Sequence, residues 1–404
     1  MTAAPPPKPV IAGFMRLTDC APLLVAAKMG FAAKEGIDLV LHRETSWATI
    51  RDKISVGHID VAHMLAPMPI AQNLGITPLS SSIIVPMALG FGSNTVTASR
   101  ELFSGLEAQS SSGRMTVAGS ARAFAATVRS RAEQGKKTVL GIVHPHSAHH
   151  YELAYWMASA GIVPGRDVEL VALPPSLMAE AIAAEQIDGF CAGEPWGSVA
   201  VARRLGRIVT TKGQIWRSSP EKVLGVSKAW ADRNQDTLTA LIRAIYRAAS
   251  WCDDAANRRD LVALLSGSEC LDLPPAVLEP ALLETPNAAE APDRMIFADK
   301  AATFPWISHA LWFYAQMVRW GHLARKPSDE AIVRATFRPD LYRAALAPLR
   351  VAMPSANSKV EGSLKTETPV GSAEGRLMLG PDGFFDGRIF DPDFLDEYIR
   401  HSAV

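Results

Sequence analysis

From residue 10 to about residue 208, short β-branched runs alternate with amphipathic stretches. Runs at 10–15, 37–42, 59–64, 82–90, 137–143, 168–173, 187–192 and 206–211 are rich in Val and Ile, which predicts strands. Stretches such as 22–36 and 176–186 space their apolar residues as a helix does. Strands alternating with helices predict βαβ units, a mostly parallel sheet and right-handed crossovers. At 96–135 the pattern changes character, as expected where a chain crosses from one lobe to another. Beyond residue 227 no further strands are predicted, and helical patterns occupy 229–255 and 304–321. Ser227 and Ser328 mark helix starts. The tract 354–374, rich in Ser, Thr, Gly and Pro, predicts an extended arm.

The predicted organisation is α/β. A Pro-rich tail occupies 1–8, and one lobe is formed by 9–97 and 213–350 with C-terminal helices. A second lobe comprises 98–212, and an extended C-terminal arm runs over 351–404. Ligands of open α/β sheets bind beyond the carboxyl ends of strands, near helix N-termini. Candidate residues should therefore follow strands.

Composition narrows the function. Of 404 residues, 48% are hydrophobic and 20% charged, ordinary for a globular chain. Lys plus Arg and Asp plus Glu both number 41, so there is no basic excess of the kind nucleic-acid binders carry. No stretch of about 18 uninterrupted apolar residues predicts a membrane span. The N-terminal MTAAPPPKPV lacks the apolar core of a secretory signal, which predicts a cytoplasmic protein. The 4 cysteines, Cys20, Cys191, Cys252 and Cys270, form no CxxC pair, so neither a zinc motif nor a disulfide framework is expected. There is no GxSxG, P-loop, HExxH or Gly-rich dinucleotide turn. No catalytic set, cofactor or resident metal is expected, and the chain does not read as an enzyme.

Several residues after strands could carry chemistry. Ser46 is positioned to cap a helix that opens with Trp47, whose indole would lie at the sheet edge or serve in packing. His63 reads as a core histidine. The segment His144-Pro145-His146-Ser147-Ala148-His149-His150 directly follows a predicted strand. His146 and His150 have helical i,i+4 spacing, which admits a metal; the strand-to-helix position with Ser147 as cap admits an anion; a structural role also fits. In Cys191-Ala192-Gly193-Glu194-Pro195-Trp196, Gly193 would let backbone approach a ligand and Pro195 begins a helix. Lys222, after Ser219-Pro220-Glu221, could supply a cation.

Taken together, five segments resemble the nitrate- and bicarbonate-binding proteins of ABC importers. They are TDCAPLLVAAKMGFAAKEGIDL (18–39), SWATIRDKISVGHIDVAHMLAPMP (46–69), HHYELAYWMASAGI (149–162), GFCAGEPW (189–196) and SPEKVLGVS (219–227). The likeness runs in order from about residue 9 to beyond 320. It implies a periplasmic-binding-protein type II fold, with two α/β lobes joined by two crossovers around a central cleft. In nitrate binders of the family a Trp, a Gln, a His, a Gly and a Lys hold the anion. These positions fall on Trp47, Asn94 (an amide in place of Gln), His149, Gly193 and Lys222. The resemblance gives Lys222 the compensating charge, so Lys222→Ala should abolish binding with the fold intact. Bicarbonate binders of the family use acidic residues and a metal, for which only Glu194 and Glu221 stand out here, so nitrate or nitrite is the expected ligand.

The bare N-terminus resembles the cytoplasmic nitrate/nitrite sensor branch, the NasS type. That branch implies a partner, an RNA-binding antiterminator of the ANTAR class that controls nitrate-assimilation genes and is released when the anion binds. The alternatives are a periplasmic nitrate or bicarbonate component of an importer with its leader absent and, more remotely, a thiamine-pyrimidine synthase-like enzyme of the same fold that uses a Cys and a His-rich site.

Overall fold

The computed structural model describes residues 8–79, 81–110, 115–283 and 294–402. Most of the tail expected at 1–8 lies outside the described residues, and Lys8 already begins the first strand. Among the described residues, two five-stranded sheets form the body. The first has the order β2-β1-β3-β10-β4, built from β1 (Lys8–Phe14), β2 (Ile37–Arg43), β3 (Val61–Leu65), β4 (Ile83–Ala88) and β10 (Lys222–Ser227). The second has the order β7-β6-β8-β5-β9, built from β5 (Asn94–Ser99), β6 (Val139–Ile142), β7 (Glu169–Ala172), β8 (Gly189–Gly193) and β9 (Gly206–Thr211).

The chain leaves the first sheet after Ala88 and enters the second at Asn94. It leaves the second after Thr211 and returns at Lys222. Each sheet therefore receives one strand that has crossed from the other half. β10 runs antiparallel between β3 and β4, and β5 runs antiparallel between β8 and β9. This is the two-crossover arrangement of the periplasmic-binding-protein type II fold. All eight predicted strand regions hold strands. β5 and β10 were not anticipated, because a lone antiparallel strand donated from a distant segment leaves no βαβ alternation in the local sequence.

The helical pattern at 229–255 becomes helices Lys228–Arg233 and Gln235–Asp253, and that at 304–321 becomes Ile307–Arg319. Ser227 and Ser328 occupy N-cap positions, although neither side chain makes a capping bond. The C-terminal region departs from a plain extended arm. It contains a two-stranded hairpin, β11 (Thr368–Val370) with β12 (Leu377–Leu379), so strands do not end at residue 227. It then crosses the second crossover: Phe384 stacks on Trp216 at 4.7 Å, Arg217 N–H donates to Gly383 O at 3.1 Å, and Phe385 N–H to Ile215 O at 2.9 Å. Paired backbone and a buried aromatic stack hold this segment in place, which its Gly- and Ser-rich composition does not reveal.

Candidate functional site

The carboxyl ends of the strands converge on one buried polar cluster. After β2, Ser46 caps the helix Trp47–Ser55 by accepting the Thr49 N–H at 3.1 Å. Trp47, the first residue of that helix, is buried, and its Nε1 has no hydrogen-bond partner. After β6, Ser147 caps the helix Ala148–Ala158 by accepting the His150 N–H at 3.1 Å while donating to His144 O at 2.7 Å. That cap fixes His149 in the first turn, fully buried. Asn94 opens β5 and Lys222 opens β10, each at the point where a crossover rejoins a sheet. The β5–β8 register sets Asn94 beside Gly193.

The structure brings all five positions implied by the resemblance into contact through shared neighbours. Lys222 Nζ lies 5.4 Å from the Trp47 ring centroid, a cation–π contact. It also donates to Glu221 Oε1 at 2.8 Å and to Asp19 Oδ2 at 2.9 Å. His149 Nδ1 sits 3.1 Å from Glu221 Oε1, within ion-pair range. A methyl group added to Gly193 would stand 3.1 Å from Leu17 Cδ2, 3.4 Å from Asn94 Oδ1 and 3.6 Å from His149 Nε2. The absent side chain at 193 therefore keeps open the space those two polar atoms face. Asn94 Oδ1 and His149 Nε2 have no hydrogen-bond partners. Buried polar atoms are nearly always paired, so unpartnered Trp47 Nε1, Asn94 Oδ1 and His149 Nε2 together mark a place for a small polar ligand.

The cluster extends beyond those five. Asp19, in the turn after β1, contacts both Lys222 and His63, whose Nε2 lies 2.8 Å from Asp19 Oδ1. Met15 N–H donates to His63 Nδ1 at 3.4 Å, which leaves the His63 proton on Nε2, toward the carboxylate. His63 is thus a buried neutral partner of Asp19, its ring 5.5 Å from that of Trp47. Lys212 donates to Glu221 Oε2 at 3.0 Å and Pro220 O at 2.8 Å, and also to Glu152. Asn94 Nδ2 donates to Glu221 as well. Glu194 anchors elsewhere: its carboxylate accepts Thr95 Oγ1–H at 3.1 Å and Ser198 N–H at 3.2 Å, at the start of the helix Trp196–Ala202.

The result is a buried ladder, Glu152–Lys212–Glu221–Lys222–Asp19–His63. Burial works against ionisation of Asp19, but Lys222 and His63 outweigh it and hold the carboxyl below its ordinary value. Glu221 likewise overcomes burial, through the ammonium groups of Lys222 and Lys212 beside it. Burial opposes the charge on Lys212, yet Glu152 and Glu221 hold its ammonium in place. Burial pushes the Glu152 carboxyl up, with Lys212 pulling the other way. His149 is held down to about 3, by burial above all.

Sequence reasoning assigned Lys222 to the ligand alone. The structure gives it two carboxylates already, a burden that residue spacing cannot show. Asp19, Lys212 and Glu152 were missed. Glu152 carried a usable signal, since it lies three residues after His149 on one helical face. Asp19 stood in the position just after a strand that the fold reserves for ligands.

The remaining histidines do not join the ladder. His144, His146 and His150 gather with Tyr151 and His322: Tyr151 Oη is 2.9 Å from His322 Nδ1 and 3.3 Å from His146 Nδ1, and His150 Nδ1 is 2.7 Å from Pro145 O. Burial first, then neighbouring positive charge, holds His144 down to about 4 and His146 to about 3. Among the described residues, no group of three or more His, Cys, Asp or Glu side chains is arranged to hold a metal ion. Cys191 is buried and its thiol is pushed well up, so it supplies no thiolate. No described helix is long and apolar enough to cross a membrane.

Two lobes of this topology, with a small polar site at the carboxyl ends of their strands, define a protein of the periplasmic-binding-protein class. The chain belongs to the NMT1-like family, whose model matches residues 3–266. It is 30% identical over 413 residues to the nitrate/nitrite binding protein NrtA of Nostoc sp., covering 97% of this chain and 85% of that one. It is 35% identical over 340 residues to the nitrate import ATP-binding protein NrtC of Synechocystis sp., covering 82% of this chain but 48% of NrtC, about half of that longer protein. The crystal structure of the periplasmic nitrate-binding protein NrtA from Synechocystis superposes with a TM-score of 0.83 at 26% identity, covering 99% of this chain and all of that one.

Proposed function

We propose that the chain binds nitrate or nitrite in the space bounded by Trp47, Asn94, His149 and Gly193, with Lys222 beneath it. The observation that carries this reading is the set of unpartnered buried polar atoms in one cluster, Asn94 Oδ1 and His149 Nε2 beside the position that Gly193 keeps open and the Trp47 Nε1 donor over Lys222. Full-length likeness to NrtA of Nostoc sp. supports the choice of anion. A small planar monoanion needs a few donors and a balanced charge, and the Trp47 indole N–H is such a donor. Calorimetric titration with nitrate, nitrite and bicarbonate tests the reading. Saturable binding of nitrate or nitrite supports it, and binding of bicarbonate alone overturns it.

The finer reading is a sensor. In it the anion favours a closed form, and an ANTAR-class antiterminator partner favours the open one, so each ligand weakens the other. Switching the partner from nearly all bound to nearly all free needs on the order of 5 kcal/mol of differential binding. This reading rests on the same anion site and on the likeness to nitrate/nitrite binding proteins. A second reading, the binding component of an importer, is favoured by the likeness to NrtA and NrtC. Affinity capture with and without nitrate separates the two. An RNA-binding partner retained only without anion supports the sensor, and retention of transporter subunits supports the importer.

A further inference from the structure

With the Glu152 carboxyl pushed up to about 8, and so protonated at pH 7, the buried ladder is balanced before any anion enters. Asp19 and Glu221 are ionised, and the ammonium groups of Lys212 and Lys222 answer them. Lys222 is divided between both carboxylates. A nitrate placed beside Gly193 therefore adds a negative charge to a dry region whose cations are already engaged, and a buried charge left unpaired is prohibitively costly.

The hydrogen-bonding pattern adds a second mismatch. Asn94 must turn its amide nitrogen to the Glu221 carboxylate, since the opposite orientation would set oxygen against oxygen. Its Oδ1 then faces the ligand space as an acceptor. His149 Nδ1 lies 3.1 Å from Glu221 Oε1 without hydrogen-bond geometry, but the negative charge on that side favours the proton on Nδ1 of the neutral ring, which leaves a lone pair on Nε2. The space thus presents two acceptors to an ion that has only acceptors.

One change supplies the missing charge and turns one of the two acceptors into a donor, leaving Asn94 Oδ1 as the single acceptor facing the ligand space. We propose that the chain takes up one proton with each nitrate and holds it on His149 Nε2. This inference rests on the anion-binding reading above. The proton comes from solvent, an N–H bond forms at Nε2, and nothing is oxidised or reduced. The imidazolium then lies between Glu221 and the anion, donating to the ligand and supplying the missing charge. The charged groups that face His149 are Glu221 and Lys222 at the start of β10, Lys212 from the helix Lys212–Ile215, and Asp19 from the turn after β1. The two carboxylates favour the imidazolium and the two lysines oppose it. In the empty site burial decides against it, and His149 is neutral at pH 7.

Titration calorimetry with sodium nitrate at pH 7, in buffers of low and high ionisation enthalpy, tests the proposal on the intact chain. Nitrate is the anion of a strong acid, so any proton taken up resides on the protein. The expected result is a binding heat that varies linearly with buffer ionisation enthalpy, with a slope approaching one proton per nitrate. The apparent Kd should rise by up to about tenfold per pH unit on the alkaline side. Nitrogen-15 NMR of histidine-labelled protein should show one ring passing from neutral to imidazolium on saturation, and His149→Gln should lose both that signal and the buffer dependence. Binding heat that is identical in all buffers overturns the proposal. So does proton uptake that leaves His149 neutral or survives in His149→Gln. Absence of any binding heat overturns the anion-binding reading itself, so the two failures are distinct.

Discussion

Replacing Lys222 by Met tests whether this lysine is a structural counter-ion as well as a ligand group. Lys222 is fully buried and holds Asp19 at 2.9 Å and Glu221 at 2.8 Å. Methionine matches the length of the stem and removes the charge. Glu221 keeps Lys212, but Asp19 is left with neutral His63 as its neighbour. Breaking a buried pair by deleting one partner costs about 3–5 kcal/mol. At about 2–4 °C per kcal/mol for a lobe-sized unit, the melting temperature should fall by roughly 6–20 °C. The pH dependence has a definite sign. In the native chain Asp19 and Glu221 have depressed folded values, so their stabilisation is present above the unfolded carboxylate values near 3.8 and 4.5 and is lost as pH falls. In Lys222→Met the Asp19 carboxyl loses its main partner and its folded value rises. The variant's deficit should therefore be largest at neutral pH and shrink toward pH 4. Thermal unfolding followed by circular dichroism, without nitrate, reads both effects. Adding Asp19→Asn to Lys222→Met should recover stability, with a coupling of about 0.5–3 kcal/mol. If Lys222→Met melts within a degree or two of the native chain, or Asp19→Asn costs as much with the lysine absent as with it present, the reasoning fails.

Other substitutions separate binding from folding. Trp47→Phe keeps the ring against His63 and removes the unpartnered Nε1–H, so nitrate affinity measured by calorimetry should fall by about 1.5–3 kcal/mol with little change in melting temperature. Gly193→Ala puts a methyl among Leu17, Asn94 and His149 and should abolish nitrate binding in the same assay, while far-ultraviolet dichroism is unchanged. Ser147→Ala removes the cap of the helix Ala148–Ala158 and should cost about 0.5–2 kcal/mol in urea unfolding, weakening nitrate binding because His149 lies in the first turn. Phe384→Ala deletes the ring stacked on Trp216 and should cost about 3–5 kcal/mol, readable as a lower unfolding midpoint.

By itself the sequence determined the class of architecture and most of its strands. Eight β-branched runs with helices between them admit little but two α/β lobes, because burial on both faces of a parallel sheet imposes that pattern locally. It also placed Ser46 and Ser147 as caps, since a cap depends on a serine and the three residues after it. Trp47, His149, Gly193 and Lys222 were legible through ordered motifs, and Asn94 as the amide standing where the family the chain resembles has Gln. Tertiary structure alone decided how these residues stand toward one another. β5 and β10 are strands because the other half of the chain donates their hydrogen-bond partners, and no local period encodes that. The charge on Lys222 is engaged because Asp19, 203 residues away, folds against it. His149 is neutral because burial outweighs the carboxylate beside it. Charge and protonation depend on distance through the folded interior and on exclusion of water, and neither quantity exists along the chain.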